Sequence, residues 1–190
     1  SHKECTSLCH QCCVSKSHRL PFVLSAKKSA EPISLIHSDV WSPFTQSASI
    51  YKYYVIFVDD FSNFTWLYPL SYKSEVYSKF LEFKVYAELQ FSTSLKILRT
   101  DGGGEYTRGQ FQKFFTTLGI VHQMSCPHTP SQNGVAERKH LYITETAISL
   151  LHHSSLPLTY WFDAIATATY LINRLPSASR SNCSLFELLF

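Results

Sequence analysis

Six consecutive apolar residues, Tyr53-Tyr54-Val55-Ile56-Phe57-Val58, constrain this chain more than any other feature. A half-exposed strand alternates apolar and polar side chains, whereas a strand apolar throughout must be covered on both faces. The chain therefore needs a sheet with a layer packed above it and another below. Ile33 to Trp41 and Phe64 to Leu70 also read as strands, the latter joined to the apolar run by the turn composition of Asp59-Asp60-Phe61-Ser62-Asn63. From Lys73 to Phe91 the period becomes helical, with Val76, Phe80, Phe83, Ala87 and Phe91 on one side. Leu95 to Leu98 predicts a short strand ending at Asp101. Gln110 to Leu118 predicts a helix turning Phe111, Phe114 and Phe115 inward, and Ile120 to Met124 a fifth strand. Helices from about Gln132 to His153 and from Pro157 to Leu175 complete the pattern.

Three strands joined by tight turns form an antiparallel meander, and a helical crossover then returns the fourth strand parallel to the first. The expected fold class is α/β, a five-stranded mixed sheet with helices on both faces. Open sheets of this kind bind ligands where the strand order reverses. Here that point lies between the first and fourth strands, which carry Asp39 and Asp101.

Charge and cysteines divide the chain differently. Residues 1–30 hold Lys3, Lys16, Arg19, Lys27 and Lys28 against Glu4, a balance of +4, whereas residues 31–190 balance at −1. The body of the protein is not basic, so a polyanion bound there needs positive charge from elsewhere. Residues 25–32 (SAKKSAEP) read as a linker, separating an arm at 1–24 from a domain at 33–190. Four of the six cysteines (Cys5, Cys9, Cys12, Cys13) crowd into that arm, the others being Cys126 and Cys183. Cys9-x-x-Cys12 has the spacing of half a zinc site and needs two further ligands. An apolar content of 45% excludes disorder as the default. No apolar run approaches the ~20 residues of a membrane span. Neither a signal peptide nor an initial Met is present, so the chain reads as a piece of a longer polyprotein.

Two carboxylates on neighbouring strands repel each other unless a cation intervenes. Asp before Gly is also ordinary turn chemistry, which fits Asp101; Asp39, inside an apolar strand, has no such explanation. Glu137, near the start of the long helix, offers a third acid, although a charge there also suits a helix N-terminus. At 100° per residue the apolar stripe of that helix runs through Ala136, Ile143, Ala147 and Leu150, with Leu151 at its edge and Arg138 and Glu145 on the outer side. Glu137 lies on its border. Three carboxylates without His or Cys suit Mg²⁺ or Mn²⁺. Two such ions serve in-line attack on phosphorus, and their charge suits a scissile phosphate on a domain that is not basic.

Asp101 and Glu137 are 35 residues apart with Asp39 upstream, the D,D-35-E pattern of retroviral and retrotransposon integrases. The resemblance is closest to copia-type LTR-retrotransposon integrases. It rests on His37-Ser38-Asp39-Val40-Trp41, Phe57-Val58-Asp59-Asp60-Phe61-Ser62, Asp101-Gly102-Gly103-Gly104-Glu105-Tyr106, Cys126-Pro127-His128-Thr129-Pro130 and residues 132–140, QNGVAERKH. Tyr160-Trp161 and Ile172-Asn173-Arg174-Leu175-Pro176 extend it toward the C-terminus. The resemblance implies an RNase H-like core that joins element cDNA ends to target DNA in the nucleus, working as a homo-oligomer away from membranes. It carries metal-ligand roles to Asp39, Asp101 and Glu137, which would hold two Mg²⁺ or Mn²⁺ ions. It makes Cys9 and Cys12 the second half of a His-His-Cys-Cys zinc module whose His pair would precede Ser1, so that Zn²⁺ is expected only in a longer chain.

Asn133, Gly134, Arg138, Lys139 and His140 are the DNA-contact candidates. Asp59 and Asp60 are expected to serve the hairpin turn. Leu141 stands where relatives commonly carry Arg, and its angular position predicts an exposed leucine on the DNA-facing side. Two other readings are a catalytically silent or domesticated binding module, and an RNase H-type nuclease. The nuclease expects a fourth core carboxylate, for which Glu75, Glu82 and Glu88 are available.

Overall fold

The computed structural model describes residues 28–42, 48–107, 109–124, 134–177 and 180–190. Five strands are present: β1 (Leu35–Trp41), β2 (Tyr53–Asp59), β3 (Thr65–Leu70), β4 (Ile97–Thr100) and β5 (Val121–Met124). They form one sheet of order β3-β2-β1-β4-β5. β1 runs antiparallel to β2 and parallel to β4, so the mixed sheet is the one the meander and crossover demand.

The apolar β2 is covered on both sides, as its composition requires. Val55 and Phe57, with Ile36 of β1 and Leu98 of β4, pack against α1 (Val76–Phe91), α2 (Gly104–Thr107) and α3 (Gly109–Leu118) through Phe80, Phe83, Tyr106, Phe111 and Phe115. Phe57 and Phe83 stack with ring centroids 4.4 Å apart. Tyr54, Ile56 and Val58 face the other way. They meet Ala136, Ile143, Ala147 and Leu151 of α4 (Gly134–Ser154), Trp161, Ile165 and Ala168 of α5 (Trp161–Arg174), and Leu185 of the short α6 (Leu185–Leu189).

Several details differ from the sequence reading. β1 begins at Leu35 rather than Ile33, because Ile33 is held at φ 64° with its amide donating to Asp59 Oδ1 at 2.9 Å. A β-branched residue is costly in that region, and its burial together with this hydrogen bond offsets the cost. Asp59 and Asp60 therefore do more than turn a hairpin. Asp59 also accepts from the Ser62 amide and hydroxyl, while Asp60 accepts from the Ser29 amide and pairs with His37 Nε2 at 2.8 Å. Together they clamp the segment before β1 and the base of β1 onto the turn. On α4, Leu151 is buried and Leu150 only half-buried, because the stripe is centred nearer Glu137 than expected. Helix α6 was absent from the predicted elements, although Ser184 and Glu187 form a capping box at its start.

Candidate active site

Strand parity decides which side chains share a face. On β1, Leu35, His37, Asp39 and Trp41 alternate with Ile36, Ser38 and Val40. Asp39 pairs directly with Ile56, so it points to the side covered by α4 and α5. The parallel register of β1 with β4 aligns His37 with Arg99. Two residues further along each chain, Asp39 and Asp101 keep the parity of that last pair, Asp101 lying just past the end of β4.

The surroundings hold each acid differently. Asp101 is exposed, and its Oδ1 accepts from the Gly103 amide at 2.9 Å across Gly102, whose φ of +80° is one that glycine adopts without penalty. The loop is braced by the Gly102 amide donating to Thr100 Oγ1 and by Ser38 Oγ bonded to the buried Tyr106 hydroxyl at 2.7 Å. Glu137 is exposed in the first turn of α4. Asp39 is the sheltered member, its side chain 18% exposed. Burial, then the charge of Asp101, push its carboxyl from the ordinary 3.8 up to about 7. Glu137 and Glu105 add to the rise, and the Val40 amide hydrogen bond opposes it. Asp101 and Glu137 thus both act on Asp39, as does a further acid, Glu105. Among the described residues no group of three or more His, Cys, Asp or Glu gathers closely enough to enclose a metal ion.

His140 corrects the sequence reading. Expected on the DNA-contacting surface, it is 5% exposed and wedged between Tyr54 and Asp39, so it cannot meet a phosphate from outside. Its Nδ1 lies 3.1 Å from the Tyr54 hydroxyl and its Nε2 3.5 Å from Asp39 Oδ2, too far for a strong hydrogen bond. Burial holds its pKa down to about 4, against an upward pull from the Asp39 backbone, so the ring is neutral at neutral pH. The signal was available: at 100° per residue His140 falls about 60° from Glu137 on the apolar side, inside the stripe. Tyr54 completes the wall with Trp41 and Trp161 at centroid distances of 5.4 and 6.3 Å.

The remaining candidates divide. Arg138 is exposed, Gly134 is buried as the first residue of α4, and Lys139 is half-buried with its Nζ donating to the Asn63 carbonyl at 2.9 Å. Leu141 is 60% exposed, as expected. Asn133, Cys9 and Cys12 lie outside the described residues. The acids that a nuclease reading needs are engaged on α1 and its N-terminal turn. Glu75 accepts from the Ser71 amide, Glu82 pairs with Lys79, and Glu88 pairs with Lys84 and accepts from the Leu95 amide. The acid felt by Asp39 is Glu105 instead, four residues beyond Asp101.

Comparison with known proteins agrees with this geometry. The integrase core domain model matches residues 29–130. Over 182 residues, 96% of its length, the chain is 46% identical to the retrovirus-related Pol polyproteins from transposons RE1 and RE2 of Arabidopsis thaliana. It is 40% identical over 170 residues, 89% of its length, to the corresponding polyprotein from transposon TNT 1-94 of Nicotiana tabacum. It spans only 12–13% of the length of these relatives. Among solved structures, the HTLV-2 integrase catalytic core domain in complex with magnesium (trimeric form) superimposes with a TM-score of 0.63 at 20% identity, covering 86% of this chain and 100% of that one. The simian T-cell lymphotropic virus intasome in complex with PP2A regulatory subunit B56 gamma gives 0.69 at 21% identity, covering 86% of this chain and 56% of that one. The sheet is the RNase H-like fold of retroviral integrase cores, and the chain belongs to the integrase core domain family, in its copia-type retrotransposon branch.

Proposed function

We propose that this chain is the catalytic core of a divalent-metal-dependent DNA strand-transferase, which joins the ends of element cDNA to target DNA. The observation that carries the reading is that Asp101, just past the β4 strand paired with β1, and Glu137 at the start of α4 both lie close enough to Asp39 to raise its carboxyl. Acids driven together in this way fit a hard cation, whose charge reverses the sign of the repulsion among them. Asp39, Asp101 and Glu137 would hold it. When bound, two Mg²⁺ or Mn²⁺ ions activate a hydroxyl and stabilise the leaving oxygen of an in-line displacement at phosphorus.

The chain's own residues set the geometry. Ser38 and Tyr106 tie β1 to the segment after Asp101, which holds the two aspartates in register. The neutral ring of His140, steadied by Tyr54, backs the Asp39 carboxylate and leaves its charge for the cation. The exposure of Asp101 and Glu137 keeps the site open to a substrate as wide as a duplex. In the reaction a 3′-hydroxyl oxygen bonds to phosphorus as the old phosphodiester oxygen departs and takes up a proton. The HTLV-2 integrase catalytic core domain is described in both a dimeric and a trimeric form, which supports assembly of this chain into a homo-oligomer. Target joining places the activity in the nucleus; among the described residues no helix is long and apolar enough to cross a membrane. We read Cys9 and Cys12 as two of four zinc ligands, the others contributed by a longer chain.

The test incubates the protein with Mn²⁺ or Mg²⁺ and labelled LTR-end duplex, beside Asp101→Asn. Joined products that disappear in the variant are expected. Products that persist in Asp101→Asn would refute the assigned site, and none from the wild type would favour a silent binding module.

A further inference from the structure

Strand β5 is short and lies at the edge of the sheet, yet its side chains reach the turn that carries Asp101. Its register against β4 pairs His122 with Leu98 and Met124 with Thr100, so all four share a face. From there His122 reaches diagonally to Thr100, its Nε2 3.0 Å from the hydroxyl oxygen. The same oxygen accepts from the Gly102 amide at 3.2 Å, and the next amide, of Gly103, donates to Asp101 Oδ1 at 2.9 Å. The ring of His122 packs against Phe115 of α3 with centroids 4.9 Å apart. Met124 lies beside Gly102, its Cβ 3.7 Å from the point that a Cβ on that glycine would take. Asp101 is exposed, so its position is set by this turn rather than by burial.

These hydrogen bonds have one consistent direction. A hydroxyl has one proton to donate and two lone pairs with which to accept. Thr100 is fully buried, and among the described residues its hydroxyl meets the Gly102 amide and His122 Nε2. The amide can only donate, so the buried hydroxyl proton is satisfied where Nε2 accepts it. The ring is then neutral, with its own proton on Nδ1. Burial, which holds the His122 pKa below the ordinary histidine value, favours that form.

We propose that His122 is a positioning residue for Asp101: its Nε2 accepts from the Thr100 hydroxyl, which orients that oxygen to receive the Gly102 amide and so fixes the turn presenting the carboxylate. The role rests on the reading of Asp101 as a metal ligand, and His122 acts through Thr100 and Gly102 rather than on the carboxylate itself. β1 and β4 each place a buried hydroxyl immediately before an aspartate, Ser38 bonded to Tyr106 and Thr100 bonded to His122. An edge strand exposed at Val121 and Met124 thereby takes part in the site.

The first arm of the test records long-range ¹H–¹⁵N spectra of the metal-free protein, in which His122 Nε2 should carry no proton and should shift in Thr100→Val. A protonated Nε2, or one indifferent to Thr100→Val, would overturn the brace. The second arm measures Mn²⁺ affinity from the electron paramagnetic resonance of the free ion. His122→Phe keeps a ring against Phe115 but offers no acceptor. It should weaken binding by roughly tenfold, the low end for loss of a partner behind a metal ligand. His122→Gln offers an amide oxygen and should recover most of the affinity. A merely structural role predicts the reverse order, with Phe tolerated and Gln impaired; that order, or equal affinities, would overturn the proposal. Thermal unfolding of each variant checks the fold. Thr100→Val breaks the same bonds with the His122 ring in place and should show the same weakening, so the test stands even where His122→Phe does not fold. In strand joining, His122→Phe should lose kcat while the KM for duplex stays unchanged, and a raised KM at unchanged kcat would contradict the role. Asp101→Asn separates this inference from the metal reading. A wild type that binds no Mn²⁺, or binds it no better than Asp101→Asn, would overturn that reading and the positioning role with it, while the Nε2 signal still decides the brace.

Discussion

The two faces of the sheet are built from the same strands and do opposite things. On the α1 side the contacts are apolar and aromatic, with Phe57, Phe80, Phe83, Phe111 and Phe115 in mutual ring contact and the Ser38–Tyr106 pair as a polar exception. On the α4 side the same alternation places Asp39, Tyr54 and His140 among the apolar residues, and Asp39 sits there with a carboxyl raised to about 7. One face gathers apolar contacts, and the other gives up some stability to shelter a carboxyl among like charges. Burial alone does not separate them, because β2 is buried on both faces from Tyr54 onward. The difference lies in what is buried.

That contrast can be broken from either side. The largest effect belongs to the aromatic face. Phe57→Ala removes the ring stacked on Phe83 and should destabilise the protein by about 3–5 kcal/mol. For a chain of this size that lowers the unfolding midpoint by roughly 10 °C, which calorimetry would detect. Joining activity per folded molecule should survive at temperatures well below that midpoint.

The second effect has the opposite sign. In the metal-free protein the Asp39 pKa in the fold, about 7, exceeds its ordinary 3.8, so the native state holds more protons between those values. Stability linked to Asp39 is full below pH 3.8 and is lost as pH rises through about 7. Asp39→Asn should therefore stabilise the metal-free protein at pH 8 by on the order of 2 kcal/mol, with little change near pH 4, while eliminating activity. His140 has the reverse slope: its pKa in the fold, about 4, lies below 6.5, so its contribution falls as pH drops through that window. The two slopes oppose each other in the wild type, and the difference between wild type and Asp39→Asn isolates the carboxylate. A variant that unfolds earlier than wild type at pH 8 would contradict the view that this face is under charge strain.

The smallest effect concerns the exposed edge of the same helix. Leu141 is 60% exposed, one turn beyond Glu137. Leu141→Arg should tighten duplex binding and steepen its salt dependence by about one unit of slope, read by fluorescence anisotropy of a labelled duplex across a salt series. An unchanged slope would remove Leu141 from the DNA-facing surface.

Much of this was readable from residue order, because it depended on local periodicity. The apolar Tyr53–Val58 demanded two covering layers, and the meander and crossover dictated the neighbours of β1. β1, which carries Asp39, and β4, which Asp101 follows, do flank the point at which strand order reverses. What escaped depended on long-range contacts. Turn composition identified Asp59 and Asp60 but could not show that they also hold Ser29, Ile33 and His37. Lys139 reads as a surface lysine until the β2–β3 turn is brought beneath it. His140 was different: helical angle placed it on the buried side, and its basic neighbours Arg138 and Lys139 drew it toward the wrong surface. Glu105 was quoted only as part of a motif, since its spacing from Asp101 does not reveal that Asp39 feels its charge.

The central claim is that Asp39, Asp101 and Glu137 share one divalent-cation site on the polar face. It is tested most directly by titrating the protein with Mn²⁺ at pH 7.5 and following the unfolding midpoint for wild type, Asp39→Asn and Asp101→Asn. The account predicts a concentration-dependent rise in the wild type, larger as pH increases through about 7 because the ligand must be deprotonated, and little or no rise in either variant. Equal Mn²⁺ stabilisation of all three proteins would contradict it.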